Sequence, residues 1–201
     1  MTDPAKTEDF LLWNGVGDSD EAAFNTLMRR HYKSLFRYGI RIHADEDLVR
    51  DAIQEVFISV WERRHKLPEI DSPRSYLLGS LRKRILYELR QSRWERLDEM
   101  ADQFHVDFSF DHVLISREED LLTRQKIETF LNSLPPRQKE IIHLRFYQNL
   151  SCEEIADVMK MNRQSVYNLL HETLRRLRRQ WGPVGVYLLL SQLHESPFHV
   201  F

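Results

Sequence analysis

Gln164 and Asn168 stand four residues apart, and His171 and Arg175 take the next two helical steps; all four carry groups that hydrogen-bond to base edges or phosphates. At about 100° per residue they share one side of a helix, flanked by Tyr167 and Glu172. Val166, Leu170, Leu174 and Leu177, with Leu169 beside them, make the opposite, apolar stripe. Side-chain amides pair two-point with base edges in the major groove, and guanidinium groups suit guanine edges or phosphates. Arg175, Arg176, Arg178 and Arg179 close the segment with a run fit for phosphate oxygens. The expected chemistry is reading and holding of nucleic acid, with Arg163, Gln164, Ser165, Tyr167, Asn168, His171, Arg175, Arg176 and Arg179 as candidate contacts.

Such a face needs a short helix in front of it to set its angle. Ser151 with Glu154 three residues on is a capping box, so a helix begins there. Ile155, Ala156 and Met159 keep helical spacing until Met161 and Asn162 interrupt it, and Asn162 is a good cap for the second helix. The pattern is a helix-turn-helix, whose second helix enters the major groove. A plain helical hairpin with a solvated outer face gives the same local pattern, so the decision rests on context.

The 201 residues are 42% hydrophobic and 30% charged, a globular balance with room for one domain or two small ones. Lone Cys152 excludes an internal disulfide and a multi-cysteine zinc site, and reads as a small packing residue; the nine histidines show no paired ligand spacing. No metal and no cofactor are expected. The six glycines form no phosphate-cradling loop and no nucleophile constellation stands out, so the chain is not expected to be an enzyme. The start, MTDPAKTEDF, is unlike a secretory signal, which predicts a cytoplasmic protein. A net charge of −2 is unexpected for a chain that grips DNA unaided. The positive charge is instead segregated: Arg82, Lys83, Arg84, Arg90, Arg93 and Arg96 form one cluster and Arg175 to Arg179 another.

Between the clusters lies an acidic stretch from Glu95 to Asp120, whose middle, QFHVDFSFDHV, lacks helical periodicity and reads as a flexible linker. The fold class expected is all-α, two small helical domains joined by that linker. In the first, Ala23, Phe24, Leu27, Met28, Tyr32, Leu35, Phe36 and Ile40 predict the inward face of a helix starting near Ser19. A second helix places Leu48, Val49, Ala52, Ile53, Val56, Phe57, Val60 and Trp61 inward, leaving Arg50, Asp51, Gln54, Glu55 and Glu62 outward. After the proline-flanked loop HKLPEIDSPRS, a third runs from about Pro73 with Leu77, Leu78, Leu81, Ile85 and Leu89 inward and the basic cluster outward.

With these strings assembled, residues 20 to 180 resemble an extracytoplasmic-function sigma factor, a small initiation subunit of bacterial RNA polymerase. DLVRDAIQEVFISVWERR resembles the family's region-two helix, and Asp51, Gln54, Glu55, Phe57 and Trp61 fall on its typical residues. SPRSYLLGSLRKRILYELRQ resembles the segment after it, with Tyr76 where a tryptophan is usual and Lys83 where an asparagine is usual. LNSLPPRQKEIIHLRFYQNLSCEEIADVM resembles the start of region four.

The resemblance implies region two over 1–94, the linker over 95–120, region four over 121–181 and an apolar tail over 182–201. It implies that region two docks on core RNA polymerase, at the clamp helices of the largest subunit, through Asp51, Gln54 and Glu55, and captures unpaired bases of the minus-ten element. Arg82, Lys83, Arg84 and Arg90 are the basic residues expected there, and the loop from His65 to Ser75 corresponds to the base-capturing loop. Region four would read the minus-thirty-five element as duplex and meet the polymerase flap, with promoter DNA and an anti-sigma factor as the other partners. The acidic linker would suit a positively charged polymerase channel.

Tyr167 and Glu172 stand where relatives often carry arginine, so a different promoter sequence is expected. The resemblance further implies an ion pair between Arg145 and Glu154. Trp61 and Trp181 read as core or hinge aromatics. The apolar run from Val184 to Leu190 falls far short of the ~20 residues that span a membrane, so no stable membrane insertion is expected. A ligand- or partner-responsive helix-turn-helix regulator is the alternative; it would need a sensor pocket where this chain has three amphipathic helices.

Overall fold

The computed structural model describes residues 4–92 and 128–194; the acidic linker lies outside the described residues. Helix α1 spans Pro4–Gly17, α2 Glu21–Ile42, α3 Glu46–Glu62 and α4 Pro73–Ser92, with a 3-10 turn at Arg64–Lys66. The chain is helical again over 128–132, then forms α5 Pro136–Ile142, a π-helical turn His143–Tyr147, α6 Cys152–Met159 and α7 Arg163–His194. No strand occurs among the described residues.

Asp20 caps α2 by accepting from the amides of Ala22 and Ala23, and Asp45 caps α3 in the same way from Asp47 and Leu48. These carboxylates satisfy amides that no helix bond can reach. Gly39 lets α2 and α3 touch, since a Cβ there would lie 2.5 Å from Val49 Cγ1. On α3, Val49, Ala52, Ile53, Val56, Phe57 and Val60 are buried, and on α4 all five expected leucines and isoleucine are.

The inward face of α2 is rotated from the expectation. Ala23, Leu27, His31, Leu35, Tyr38 and Ile42 are buried, whereas Tyr32 is 39% exposed and Phe24, Met28, Phe36 and Ile40 sit at the flanks. The reason is that α2 packs against α1, α3 and α4 at once, and two polar residues, His31 and Tyr38, are turned into that contact. His31 faces Asp9 of α1 at 3.1 Å, and Tyr38 bonds a residue of the C-terminal domain.

In the C-terminal domain the capping box at Ser151 and Glu154 is present in both directions, at 3.1 and 2.8 Å. Lys160, at φ 52°, ends α6 in the left-handed region, and Asn162 Oδ1 accepts from the Gln164 amide to start α7. Helix α7 continues to His194, across the boundary expected at 181–182. Arg145 does not make the expected pair with Glu154: its Nη1 donates to the Leu150 carbonyl at 2.8 Å, while Glu154 is turned back to close its own cap. Trp61 packs beside Phe24, at 5.0 Å between ring centroids, and under the Arg64 guanidinium; the side chain of Trp181 lies outside the described residues.

Candidate nucleic-acid interface

Helix α7 is oriented by its apolar side. Val166 and Leu177 are fully buried, Thr173 is buried between them, and Leu169, Leu170 and Leu174 pack at the margin. The opposite side is open: Arg163, Gln164, Ser165, Tyr167, Asn168, His171, Arg175, Arg176 and Arg179 are all exposed. Gln164 Nε2 donates to Asn168 Oδ1 at 3.0 Å, so the two amides are already aligned with one another. Arg175 and His171 are similarly in contact, Nη2 to Nδ1 at 3.2 Å. Arg163, Arg176 and Arg179 make no ion pair with any described residue, which leaves their charge available to an external anion. Tyr167 is less available, because its hydroxyl donates to Glu153 of α6 at 3.1 Å. Glu153's own backbone amide, the Ser151 side chain and then this bond lower the Glu153 pKa, while the bond to the Glu153 carboxylate and its charge raise that of Tyr167.

The basic cluster of α4 divides into two fates. Lys83 and Arg90 are exposed, as expected of nucleic-acid contacts. Arg82 is not: its side chain is 17% exposed and forks onto Glu140 of α5, Nε to Oε1 at 2.8 Å and Nη2 to Oε2 at 3.2 Å. Arg84 is tied to Glu55 of α3 and to Glu88, a close ion pair in the first case but misaligned for a hydrogen bond, and it overlies the Tyr87 ring. In this conformation both arginines are neutralised within the protein. Helical periodicity placed them outward correctly, but it has no means of showing that another element covers that side.

Arg82 belongs to a polar network that joins the two domains. Tyr38 donates its hydroxyl to the same Glu140 Oε1 at 2.6 Å. Burial, then the adjacent carboxylate, push the Tyr38 pKa well above its ordinary value. Burial alone would lower the Arg82 pKa, but its hydrogen bond and attraction to Glu140 outweigh that and raise it. A second set lies nearby: Ser34 and Arg74 both donate to Gln148 Oε1, at 2.7 and 2.8 Å. Between these sets His143 stacks on Tyr38 and Tyr147, and burial with the neighbouring Arg41 charge lowers its pKa from 6.5 to about 3. Helices α4 and α6 approach closely where Gly79 lies, since a Cβ there would sit 3.4 Å from Val158 Cα. Tyr38, Glu140, Gln148 and Arg74 give no sign of this role in the sequence, because their partners are 58 to 114 residues away in the chain.

On α3, Asp51, Gln54 and Glu55 project from the exposed side, and Ile58, 55% exposed, continues their line one turn on. Asp51 and Gln54 have no hydrogen-bond partner among the described residues; Glu55 is committed to Arg84. Between α3 and α4 lies a cleft of about 420 Å³ lined by Glu55, Arg63, Tyr76, Ser80, Lys83 and Tyr87, among others.

An all-α chain with a cleft between α3 and α4 and an exposed helix-turn-helix at α6 and α7 has the architecture of a DNA-binding protein of two helical domains. Residues 27–95 match sigma-70 region 2 and residues 130–179 match sigma-70 region 4, so the chain belongs to the sigma-70 family of RNA polymerase factors, in its extracytoplasmic-function group. It is 23% identical over 186 residues to the ECF RNA polymerase sigma factor SigK of Mycobacterium sp. (strain JLS), covering 89% of this chain and 94% of that one. It is 29% identical over 172 residues to the RNA polymerase sigma factor NccH of Alcaligenes xylosoxydans xylosoxydans, covering 83% and 89%. In fold it is similar to CnrH, solved in complex with the cytosolic domain of CnrY, with a TM-score of 0.54 and 18% identity over 92% of this chain and 97% of that one. As a sigma factor the protein directs transcription with RNA polymerase and is not an enzyme. No helix among the described residues is long and apolar enough to cross a membrane, and they hold no cluster of side chains fit for a metal ion.

Proposed function

We propose that this sigma factor reads an upstream, minus-thirty-five element as duplex through α7, and captures unpaired bases of a minus-ten element at the cleft between α3 and α4. The observation that carries the reading is the open side of α7, where a preset pair of amides at Gln164 and Asn168 is bordered by Arg163, Arg176 and Arg179, none of which makes an ion pair among the described residues. Lys83, Arg63 and the two tyrosines of the cleft supply cationic and aromatic groups of the kind that hold single strands. Asp51 and Gln54, with Ile58, form the surface offered to the clamp helices of the polymerase, and region four is offered to the flap.

The two elements lie about 25 base pairs apart by their names, or about 85 Å of duplex at ~3.4 Å per base pair. Domains in contact through Arg82 and Glu140 cannot serve both at once, so promoter binding requires them to separate, with residues 95–120 as the connection. Opening also returns Arg82 to solvent beside Lys83. An anti-sigma factor is proposed as a further partner, supported by the likeness in fold to a protein solved with the cytosolic domain of a second one.

Transcription from a randomised promoter library with purified core polymerase tests the reading. Active templates are expected to share one upstream and one downstream motif. Templates with no common upstream motif would sink the role given to α7.

A further inference from the structure

Helix α1 lies upstream of both family-matched segments, and the proposed function gives it no task. Its Trp13 is only 3% exposed and belongs to the hydrophobic core, and from there it also reaches the loop before α4 and the first turn of α4. The indole Nε1 donates to the Pro68 carbonyl at 3.3 Å, and the ring meets Tyr76 edge-on with centroids 5.0 Å apart. Tyr76 in turn lines the cleft that holds Arg63, Ser80, Lys83 and Tyr87.

The turn that follows α1 holds the other end of the same loop. Ser19 Oγ accepts from Arg64 Nε at 2.9 Å, and Arg64 also donates to the Trp61 carbonyl at 2.8 Å. Ser19 stands at φ 67°, a region that costs a non-glycine residue on the order of 1 kcal/mol or more and persists only when the surroundings enforce it. Residues 67–72 have no helix or strand of their own, so contacts such as these fix where the loop lies.

We propose that Trp13 is a positioning residue for single-strand capture, bracing Tyr76 and anchoring Pro68 so that the cleft keeps the shape an extruded base requires. This rests on the minus-ten reading proposed above. A capture site loses selectivity when its walls move by a fraction of an ångström, which gives a buried side chain behind the wall a direct effect on base choice.

The test uses full-length protein assembled with core polymerase and a forked DNA whose downstream single strand is randomised, from which the parental holoenzyme selects its preferred base. Trp13→Leu removes both the donor and all aromatic surface; Trp13→Phe keeps a smaller aromatic ring and loses the donor. Trp13→Leu is expected to lower affinity for the selected fork about ten-fold and to erase the base preference, with Trp13→Phe in between. Core polymerase affinity should stay within about two-fold, and trypsin should cut after Arg63, Arg64 and Lys66 faster than in the parent. Parental base preference in Trp13→Leu overturns the proposal. So does a parallel fall in base preference and core affinity, which would make α1 a general support for the domain. A parental holoenzyme that selects no base at all would instead remove the minus-ten reading itself.

Discussion

Gln164 and Asn168 are bonded to each other at 3.0 Å, so neither acts as an independent reader. Replacing either with alanine should relax preference at particular upstream positions, at a cost on the order of 1 to 3 kcal/mol for a good base contact. Because each amide sets the other, the double variant should lose less than the sum of the singles, a non-additivity a double-mutant cycle reads directly. Arg176→Ala and Arg179→Ala should weaken binding to all sequences alike and flatten its salt dependence, since phosphates carry no base identity. Selection on randomised upstream elements at several salt concentrations separates the two groups. The assignment fails if the amide variants keep the parental preference while the arginine variants change it. The residue types and spacing of α7 were legible in the sequence because a single exposed helix depends only on its own periodicity. The Tyr167 to Glu153 bond was not, since it depends on the angle between α6 and α7.

At the scale of elements, α3 shows how a helix serves two neighbours. One side is filled by Val49, Ala52, Ile53, Val56, Phe57 and Val60, leaving Asp51 and Gln54 free of structural duty. Asp51→Lys should therefore weaken core polymerase binding without lowering the unfolding midpoint, and an unchanged pull-down would remove α3 from the polymerase interface. Glu55 is a poorer probe than its pattern suggested: reversing it to lysine would set two cations together at Arg84, so any lost binding would mix with internal repulsion. Glu55→Gln is the cleaner variant. The apolar stripes of α3 and α4 and the capping box of α6 could be read from the sequence because they are set within one or two turns. The rotation of α2 could not, because it depends on the other elements α2 packs against, where Asp9 lies beside His31 and Glu140 accepts from Tyr38.

At the scale of the molecule, one carboxylate, Glu140, takes two donors from the opposite domain and is one of the contacts that join the two. Glu140→Gln leaves Arg82 buried without a counter-charge, and losing one partner of such a pair costs about 3 to 5 kcal/mol, which separation of the domains relieves by hydrating the guanidinium. The variant should populate an open state in the absence of polymerase, seen as a longer distance between fluorophores on α3 and α7 and as tighter binding to promoter DNA by the free subunit. A distance unchanged from the parent would show that the pair does not hold the domains together. Acid should act on the same interface through His143, buried with Tyr38, Tyr147 and Gln148 and near Arg41. Its pKa is lowered on folding from 6.5 to about 3, so below pH 6.5 an opened or unfolded chain takes up a proton that the closed one refuses. The stabilising contribution is whole above that pH and declines by up to about 1.4 kcal/mol per unit as pH falls toward 3. His143→Phe keeps an aromatic ring in the stack and cannot be protonated, so the drop in unfolding midpoint between pH 7 and pH 5 should be smaller in the variant than in the parent. Equal drops would mean that carboxylates elsewhere govern the acid response and that His143 opens no path to the separated domains.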